Sequence, residues 1–441
     1  MNVVVGGGWA GLAAAVELAR HRLPVTLVEA APELGGRARR VRQGERRGDN
    51  GQHLVIGAYR ELLRLLDVLG VAEKSVFDRR SLELWMRAPA GEELRLRLPR
   101  LPAPLHLLAG LLTARGLSIS EKVQALRLCL ALRSFAPDVP DCSVADLLRR
   151  HGQSPKLVSR LWEPLCLATL NARVHEASAA IFRRVLIDAF THRQADSDLL
   201  IACADLGAQL PDPAQRFIVE HGGRILTSTR AIRLLDRNAR LAAVELADGT
   251  VLDADHAVLA LPPPACERLL RPHPAMSEVA ERLAAIGSAP ICTVYLRYPP
   301  SVSLPLPLMG MLECTGQWIC DLATTGRPGW MGVVISGSAH GDMTREQLIE
   351  QIGRELATLH PTWPAPLEGY VLRERRATFF ATMGVDALRP GSATPWPNLH
   401  LAGDATATGY PATLEGAVCS GVAAARRVLD AASSSGSPPP A

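Results

Sequence analysis

The chain has 441 residues, of which 48% are hydrophobic, and its 48 Lys and Arg residues exceed its 44 Asp and Glu residues by a net charge of +4. This length predicts two or three domains with a sizeable core, and it excludes a small disulfide scaffold. A surplus of four positive charges is too small to indicate a nucleic-acid partner. The nine cysteines form no C-x-x-C pair, so we expect reduced thiols and no metal site.

The chain opens on a strand pattern, residues 3–5, without a basic and apolar leader before it, which favours a cytoplasmic protein. Gly6, Gly8 and Gly11 follow as G-x-G-x-x-G at the start of an alanine-rich helix. Such glycines allow a tight turn, a close approach of a pyrophosphate and tight helix packing, and the helix start offers free N–H groups. Glu29 ends the next strand, where a carboxylate binds a ribose hydroxyl. The pattern predicts a dinucleotide site for NAD or FAD, and its alternative is a glycine turn without a ligand.

The segment after Glu29 favours FAD. Gly35, Gly36 and Arg37 follow, and NAD dehydrogenases do not usually carry this Gly-Gly-Arg sequence. The segment resembles the flavin amine oxidase and phytoene desaturase superfamily. That resemblance implies that the two glycines lie close to the cofactor and that the arginine lies beside its pyrophosphate or ribityl chain. The other arginines between residues 39 and 47 are interpreted as a solvated face.

Residues 49–59, with Asp-Asn-Gly-Gln-His, and 161–171, with Trp-Glu-Pro-Leu, are more specific than the glycine motif. Together with residues 403–417 they look like the hydroxysqualene dehydroxylase family, over nearly the whole chain. The resemblance implies an FAD-dependent reduction of hydroxysqualene to squalene in squalene and hopanoid biosynthesis. Ala405 departs from the family pattern, in which a tryptophan often follows Gly-Asp.

The leucine-rich middle of the chain predicts amphipathic helices. Its leucines can line the long apolar cavity that the resemblance implies for a C30 isoprenoid, and the alternative is that they only pack against one another. Its uncharged stretch, residues 101–114, contains two prolines and is shorter than the roughly 20 residues of a bilayer span. We expect a buried or interfacial segment. The interfacial alternative predicts a protein that is peripherally associated with the inner face of the membrane through residues 101–117. Upstream enzymes of the pathway are the other expected partners. The leucines concerned are Leu105, Leu107, Leu108, Leu111 and Leu112.

Strand patterns at 224–227 and 257–261 follow the superfamily order, in which the backbone around Ile232 contacts the adenine. A last strand ends in Gly403 and Asp404 and resembles the second flavin motif, with Asp404 near the phosphate and ribityl region. The helix after it would point its N-terminus at the flavin pyrimidine edge, where partial positive charge stabilises the reduced flavin. The candidate cofactor contacts in this helix are Thr413, Gly416 and Ala417.

These patterns predict an α/β protein with a discontinuous Rossmann-like FAD-binding domain and a substrate domain of mixed sheet plus helical insertion. The resemblance implies an amine oxidase-like two-domain architecture. The expected FAD-binding parts are residues 1–75, 205–265 and 385–430. The remaining expected regions are a helical membrane-facing region at 76–204, substrate-domain strands and helices at 266–384 and a disordered tail at 431–441.

The candidate catalytic residues come from the expected chemistry, in which protonation of an allylic hydroxyl releases water and reduced flavin delivers hydride. Gly51 should lie against the flavin, so Gln52 and His53 are the first candidates to face the substrate. Glu415 and Glu163 are further candidates. His53 has an alternative as a structural histidine, and Glu415 as an acid favoured by the helix dipole.

Three rival functions stay open at this point: a carotenoid desaturase, another amine oxidase and a non-catalytic lipid-binding or escort protein. An amine oxidase should carry an aromatic cage over the flavin, whereas only 4% of this chain is aromatic. The retained flavin motifs argue against an escort protein. No cysteine lies in the loop 403–413, which predicts a noncovalent FAD.

Overall fold

The computed structural model describes residues 1–43, 46–132, 140–337, 341 and 343–434. Residues 435–441 of the predicted disordered tail lie outside the described part, whereas the last helix continues to Ser434. The strands are β1 (Asn2–Val5), β2 (Val25–Val28), β3 (Arg40–Gln43), β4 (Arg46–Asp49), β5 (Val55–Ile56), β6 (Phe77–Arg80), β7 (Glu83–Arg87), β8 (Glu93–Arg97), β9 (Leu199–Ala202), β10 (Arg224–Leu226), β11 (Ala231–Arg237), β12 (Arg240–Leu246), β13 (Val251–Asp253), β14 (His256–Leu259), β15 (Ser288–Arg297), β16 (Leu308–Met311), β17 (Trp318–Asp321), β18 (Trp330–Ser336), β19 (Glu368–Phe379) and β20 (Leu399–Leu401). The α-helices are α1 (Trp9–Arg20), α2 (Arg60–Val68), α3 (Glu73–Val76), α4 (Leu105–Thr113), α5 (Ile119–Ala131), α6 (Val144–Arg150), α7 (Pro155–Leu157), α8 (Glu163–Leu170), α9 (Ala179–Phe190), α10 (Leu206–Gln209), α11 (Pro211–Glu220), α12 (Pro263–Leu270), α13 (Ser277–Ala285), α14 (Arg345–Leu359), α15 (Val385–Leu388) and α16 (Leu414–Ser434).

A five-stranded parallel sheet forms the cofactor half of the molecule, in the order β10-β2-β1-β14-β20. Its central strand β1 has all four residues buried, as expected for a parallel strand with both faces covered. The helices α1 and α16 pack so closely that a Cβ at Gly421 would lie 2.0 Å from the Ala10 carbonyl oxygen. Because the sheet takes its strands from three separated stretches of the chain, the predicted discontinuous Rossmann-like domain is confirmed.

A seven-stranded mixed sheet forms the substrate half, in the order β19-β15-β18-β17-β16-β7-β8. Neighbouring strands are antiparallel, except that β16 and β7 are parallel. The apolar side of α14, with Leu348, Ile352 and Leu356, packs in the core of this half. The predicted mixed-sheet substrate domain is therefore confirmed.

The region 76–204 is not helical throughout, which corrects the expectation from its leucine spacing. The strands β7 and β8 lie in it and complete the edge of the substrate sheet. In β7 the buried residues alternate with partly buried ones, so buried side chains recur at every second residue, as in a strand. The helix period that α4, α5, α8 and α9 follow does not extend through these strands.

The expectation of an interfacial segment rests on residues 101–117, which contain helix α4. Within the described part of the chain, no helix is both long and apolar enough to cross a bilayer. Leu107 and Leu111 of α4 are 7% and 2% exposed and face the core, whereas Leu105 and Leu112 are 52% and 55% exposed. Leu107 and Leu111, two of the five leucines expected in the interfacial segment, are thus core residues, because they lie on the inner side of the helix.

Candidate active site

A cavity of about 1200 Å³ is lined by residues of both halves. This volume exceeds the roughly 300–1000 Å³ of sites that hold one drug-sized ligand. One end is formed by the glycine turns of the parallel sheet, and the other by apolar side chains of the substrate sheet and of α8 and α9. The predicted cofactor residues that line it are Gly6, Gly8, Glu29, Gly35, Gly36, Arg37, Gly51, Ile232, Gly403, Asp404, Thr413 and Ala417.

The glycine turn after β1 forms a cradle that side chains would fill. Gly6 has a φ of +109°, and a Cβ there would lie 2.3 Å from the Ala260 carbonyl oxygen. A Cβ at Gly36 would lie 3.0 Å from the Gly8 Cα, so the two glycine segments touch across the turn. Gly11 lies outside the cavity wall, where a Cβ would be 1.8 Å from the Gly6 carbonyl oxygen. Bare backbone N–H groups at a helix start suit a pyrophosphate, so these residues fit a dinucleotide.

Glu29 and Ile232 flank the outer end of this cradle. The Glu29 carboxylate accepts hydrogen bonds from the backbone N–H groups of Gly7 (2.6 Å) and Ala31 (2.7 Å). It therefore fixes the turn and still presents its side chain to the cavity. Ile232 lies half-exposed on β11 and lines the same end. Both positions agree with an adenosine end of the site.

Arg37 connects three separated segments of the chain. Its guanidinium forms an ion pair with the buried Asp404 carboxylate of the C-terminal flavin motif. Its Nη1 also donates to the Ala377 carbonyl oxygen on β19, at 2.8 Å. A charge-assisted pair of this kind is stronger than a neutral hydrogen bond. Arg37 therefore fixes the middle of the cavity, where the two halves of the molecule meet.

Arg389 is a site residue that the sequence patterns did not indicate. Its guanidinium is fully buried and donates to the carbonyl oxygens of Asp404 (3.1 Å) and Thr406 (2.5 Å). It also donates to the Thr408 hydroxyl at 3.1 Å. These bonds hold the loop that follows β20. A lone arginine before a proline carries no recognisable signal, so only the folded loop identifies it.

Gln52 and His53 both line the cavity, as expected of residues that follow Gly51. The Gln52 Nε2 donates to the Tyr295 hydroxyl at 3.1 Å. The His53 Nε2 lies 3.3 Å from the Asn50 carbonyl oxygen, which can only accept, so this nitrogen carries the proton. Burial lowers the pKa of His53. The ring is therefore neutral at pH 7 and offers no imidazolium proton to a substrate.

Glu415 and Glu163 have structural partners instead of positions in the cavity. The Glu415 carboxylate is buried and accepts from the N–H groups of Glu61 and Leu62, both at 2.9 Å, at the start of α2. Glu163 accepts from the N–H of Val174 at 2.9 Å. Glu415 thus caps a helix, and its alternative as a structural acid explains its position better than a catalytic role. Gly416 likewise lies behind the wall, beside Pro411.

The far part of the cavity is apolar. Its wall comes from α8 and α9, from the strands β7, β9, β15, β16, β18 and β19 and from the residue before β7. Few charged groups interrupt this wall, as expected for a site that holds a hydrocarbon chain. The apolar lining includes Leu82, Leu84, Leu165, Leu167, Phe182, Val185, Leu186, Phe190, Leu199, Ile291, Leu308, Val334 and Leu372.

The sequence of this chain is similar to one protein family and to several curated proteins. Residues 9–429 match the family described as flavin containing amine oxidoreductase. Two curated relatives, from Rhodopseudomonas palustris and Sinorhizobium fredii, are named hydroxysqualene dehydroxylase. The first is 32% identical, with 97% of this chain and 98% of the relative covered, and the second is 28% identical, with 97% of each covered. Zeta-carotene desaturase of Zea mays is 24% identical and is covered over 81% of its length.

Solved structures show the same fold at low identity. A triple mutant of putrescine oxidase has a TM-score of 0.76 at 18% identity, with 98% of both chains covered. A putative protoporphyrinogen oxidase from Exiguobacterium sp. 255-15 has a TM-score of 0.70 at 18% identity, with 97% of this chain and 98% of that chain covered. The predicted amine oxidase-like fold is thereby confirmed.

Proposed function

The chain belongs to the family of flavin-containing amine oxidoreductases, and from this premise we propose that it binds FAD noncovalently and reduces hydroxysqualene to squalene. One observation carries the proposal: the dinucleotide cradle opens directly into a long apolar chamber within one cavity. A C30 hydrocarbon chain needs such a chamber. The relatives named hydroxysqualene dehydroxylase match this chain over nearly their whole length, which supports this substrate over a carotenoid.

The residues that would hold FAD follow from the wall of the cavity. The turn at Gly6 and Gly8 would receive the pyrophosphate, Glu29 the ribose, and the backbone near Ile232 the adenine. Arg37 would lie beside the ribityl chain. A reduced flavin, when bound, supplies the hydride equivalent that replaces the hydroxyl group. Thr413 and Ala417, at the start of α16, lie where a partial positive charge would face the flavin.

The protein's own groups would bind and orient the alcohol. The apolar wall excludes water from the reacting carbon, which protects an allylic cation from being captured by solvent. Gln52 is fixed by Tyr295 and presents its amide oxygen near Gly51, where it can accept a hydrogen bond from the substrate hydroxyl. His53 is neutral and therefore serves as a polar neighbour rather than as an acid.

The direct test is to measure the conversion of hydroxysqualene by the purified protein. Photoreduced protein, kept under anaerobic conditions, should convert hydroxysqualene to squalene, as measured by gas chromatography with mass detection. The same protein in its oxidised form should leave phytoene unchanged. A protein that desaturates phytoene and ignores hydroxysqualene would make the carotenoid desaturase the better account. A colourless protein that binds squalene without any conversion would favour the escort function.

The noncovalent binding of FAD to the protein has a separate test. Acid precipitation should release the yellow flavin into the supernatant, because no cysteine lies in the loop 403–413 that follows β20. Flavin that remains with the pellet would contradict this part of the proposal and leave the reaction itself unaffected.

We also propose a peripheral membrane contact through the outer faces of α4 and α5. Leu105 and Leu112 are more than half exposed, and Ile119 is 82% exposed. Apolar side chains that stand on adjacent helices gain free energy when they enter the headgroup boundary. The contact would place the substrate chamber close to the phase that holds the substrate, since the helical insertion adjoins the wall of that chamber.

The exposed residues, rather than the buried ones, test this contact. Replacing Leu105 and Leu112 with Asp should abolish co-sedimentation with liposomes while flavin absorbance stays unchanged. Val219→Asp is the matched control, because Val219 is equally exposed but lies on α11 in the cofactor half. Wild-type protein that never sediments with liposomes would remove the membrane claim and favour delivery by an upstream enzyme.

A further inference from the structure

Five carboxylate side chains line the cavity, and four of them are held either by an arginine or by two backbone N–H groups. Asp404 is paired with Arg37, and Asp188 lies 2.7 Å from the Arg184 Nε. The remaining two accept backbone N–H groups: Glu29 from Gly7 and Ala31, and Asp321 from Leu304 (3.0 Å) and Ala323 (2.9 Å). The fifth carboxylate belongs to Glu374. Among the described residues, no cation forms an ion pair with it, and the Arg37 guanidinium, which is paired with Asp404, interacts with it only at longer range.

Glu374 lies at the end of the regular pairing of β19 with β15, next to an irregular part, and lines the cavity. Thr378 pairs with Ala289, whereas Glu374 pairs with Ile291, so the three residues 375–377 of β19 face the single residue 290 of β15. Such bulges turn a side chain away from the regular alternation and are frequent beside active sites. Leu372, two residues earlier on the same face, also lines the cavity. The regular alternation of β19 therefore directs Leu372 and Glu374 to the same face, and the bulge begins directly after Glu374.

Asn171 holds the bulge in place. Its Nδ2 donates to the Pro290 carbonyl oxygen at 3.1 Å and to the Thr378 hydroxyl at 3.0 Å. Its Oδ1 accepts from the N–H of Gly337 at 2.6 Å. This buried amide ends the Trp-Glu-Pro-Leu segment that the sequence patterns singled out, so the segment has a function in shaping the site.

Asn50 fixes one oxygen of Glu374 and leaves the other largely free. The Asn50 Nδ2 donates to the Glu374 Oε2 at 3.0 Å and to the Arg37 carbonyl oxygen at 2.8 Å. The other oxygen, Oε1, has only a long contact of 3.3 Å with the N–H of Arg376. Asn50 directly precedes Gly51 and Gln52, so the free oxygen lies in the part of the cavity where the substrate hydroxyl is expected.

We propose that Glu374 is the proton donor that releases the substrate hydroxyl as water, an inference that rests on the proposed function. The O–H bond of the Glu374 carboxylic acid breaks and its proton moves to the hydroxyl oxygen. The allylic C–O bond then breaks, and its electron pair leaves with the oxygen as water. The products of this step are the Glu374 carboxylate, one water molecule and an allylic cation, and the cation takes its hydride equivalent from the reduced cofactor. A general acid must reach its target within about 3 Å or through one water.

The test compares two substrates on one variant. Glu374→Gln keeps an oxygen that can accept from Asn50, so the fold and the flavin content should be preserved. Reduction of hydroxysqualene should fall by about 100-fold or more, the range for loss of a general acid. The corresponding allylic chloride needs no proton to leave, so the variant should reduce it within about threefold of the wild-type rate. Glu368→Gln is the matched control on the same strand, since Glu368 pairs with Arg297 away from the cavity.

Substrate binding gives a readout that does not depend on turnover. The oxidised holoprotein cannot complete the reaction, so the flavin absorbance change on titration with hydroxysqualene measures the dissociation constant alone. That constant should agree within about twofold between wild type and Glu374→Gln.

The possible failures are distinct. If the variant loses alcohol and chloride reduction together, Glu374 has a structural role and the proposal is overturned. If it reduces the alcohol at nearly the wild-type rate, another group donates the proton. Wild-type protein that reduces neither substrate would overturn the proposed function and this inference with it.

Discussion

The cofactor half and the substrate half of the cavity are built from different atoms. At the cofactor end, the wall is backbone: a Cβ at Gly6 would lie 2.3 Å from the Ala260 carbonyl oxygen, and a Cβ at Gly36 would lie 3.0 Å from the Gly8 Cα. At the substrate end, the wall consists of side chains from strands that are distant in the sequence, such as Leu84 and Leu372. A backbone wall tolerates no added atom, whereas a side-chain wall can repack. The two ends should therefore respond differently to the same kind of substitution.

The largest effect is expected from adding one methyl group behind the wall of the cavity, once in the cofactor half and once in the substrate half. In Gly11→Ala the Cβ would lie 1.8 Å from the Gly6 carbonyl oxygen, and a backbone atom cannot move away. In Gly310→Ala the Cβ would lie 1.9 Å from the Met86 Sδ, which is part of a flexible side chain. We expect Gly11→Ala to yield no flavin-loaded protein and Gly310→Ala to keep its flavin at a cost of about 1–3 kcal/mol in stability.

Flavin absorbance relative to protein absorbance and thermal denaturation measure this contrast. Loss of flavin from both variants would mean that the substrate end is as rigid as the cofactor end. Normal flavin content in Gly11→Ala would mean that the turn after β1 rearranges, contrary to the geometry described.

The next effect concerns Arg37, where the two halves meet. Arg37→Ala removes charge-assisted contacts worth about 1.5–3 kcal/mol and leaves the Asp404 carboxylate buried without a partner. FAD affinity should fall by about 10-fold to 150-fold, as measured by equilibrium dialysis. Glu29→Ala should also lower FAD occupancy. Arg40→Ala is the control, because Arg40 pairs with Asp205 and Asp212 outside the cavity and its loss should leave flavin content unchanged.

The same contrast explains how far the sequence predicts this structure. Glycine turns, the acid after β2 and the Gly-Asp motif are local patterns, so Gly6, Glu29 and Asp404 could be assigned to the cofactor end from their neighbours alone. The position of Glu374 depends on the pairing of β19 with β15, two strands that are about 80 residues apart in the chain, and Arg389 acts through a folded loop. No local pattern carries that information, because tertiary pairing decides which side of the strand faces the cavity.

Helix α4 shows a second structural feature that the sequence alone does not predict. Its leucines occur on both sides of the helix, so an inner and an outer face have the same composition. Leu107 packs against the substrate half and Leu112 stays exposed, and only the position of β8 and its neighbours decides between them. Apolar spacing thus predicted the helix but could not select the face that meets other molecules.

The smallest expected effect is a loss of stability at acidic pH, to which both halves should contribute. His400 lies on β20 in the cofactor sheet, where both ring nitrogens lack a hydrogen-bond partner among the described residues and its ring stacks on His256. His360 follows α14 in the substrate half and stacks on Trp363. Burial lowers the pKa of each histidine to about 4. Both are therefore neutral in the folded protein over the range in which an unfolded histidine gains a proton.

The direction of the pH dependence of stability follows from the difference between the pKa values of the folded and unfolded histidines. An unfolded histidine has a pKa near 6.5, so between pH 6.5 and pH 4 the unfolded chain binds protons that the folded chain does not, and stability falls as the pH falls. Each histidine should cost about 1–2 kcal/mol at pH 5 relative to pH 7.5. His400→Phe and His360→Phe should each reduce the loss of stability on acidification by this amount, as measured by urea denaturation at the two pH values. If only one replacement reduces the loss of stability, water reaches the core of one half at low pH and not the core of the other. The two histidines would then not be equally buried.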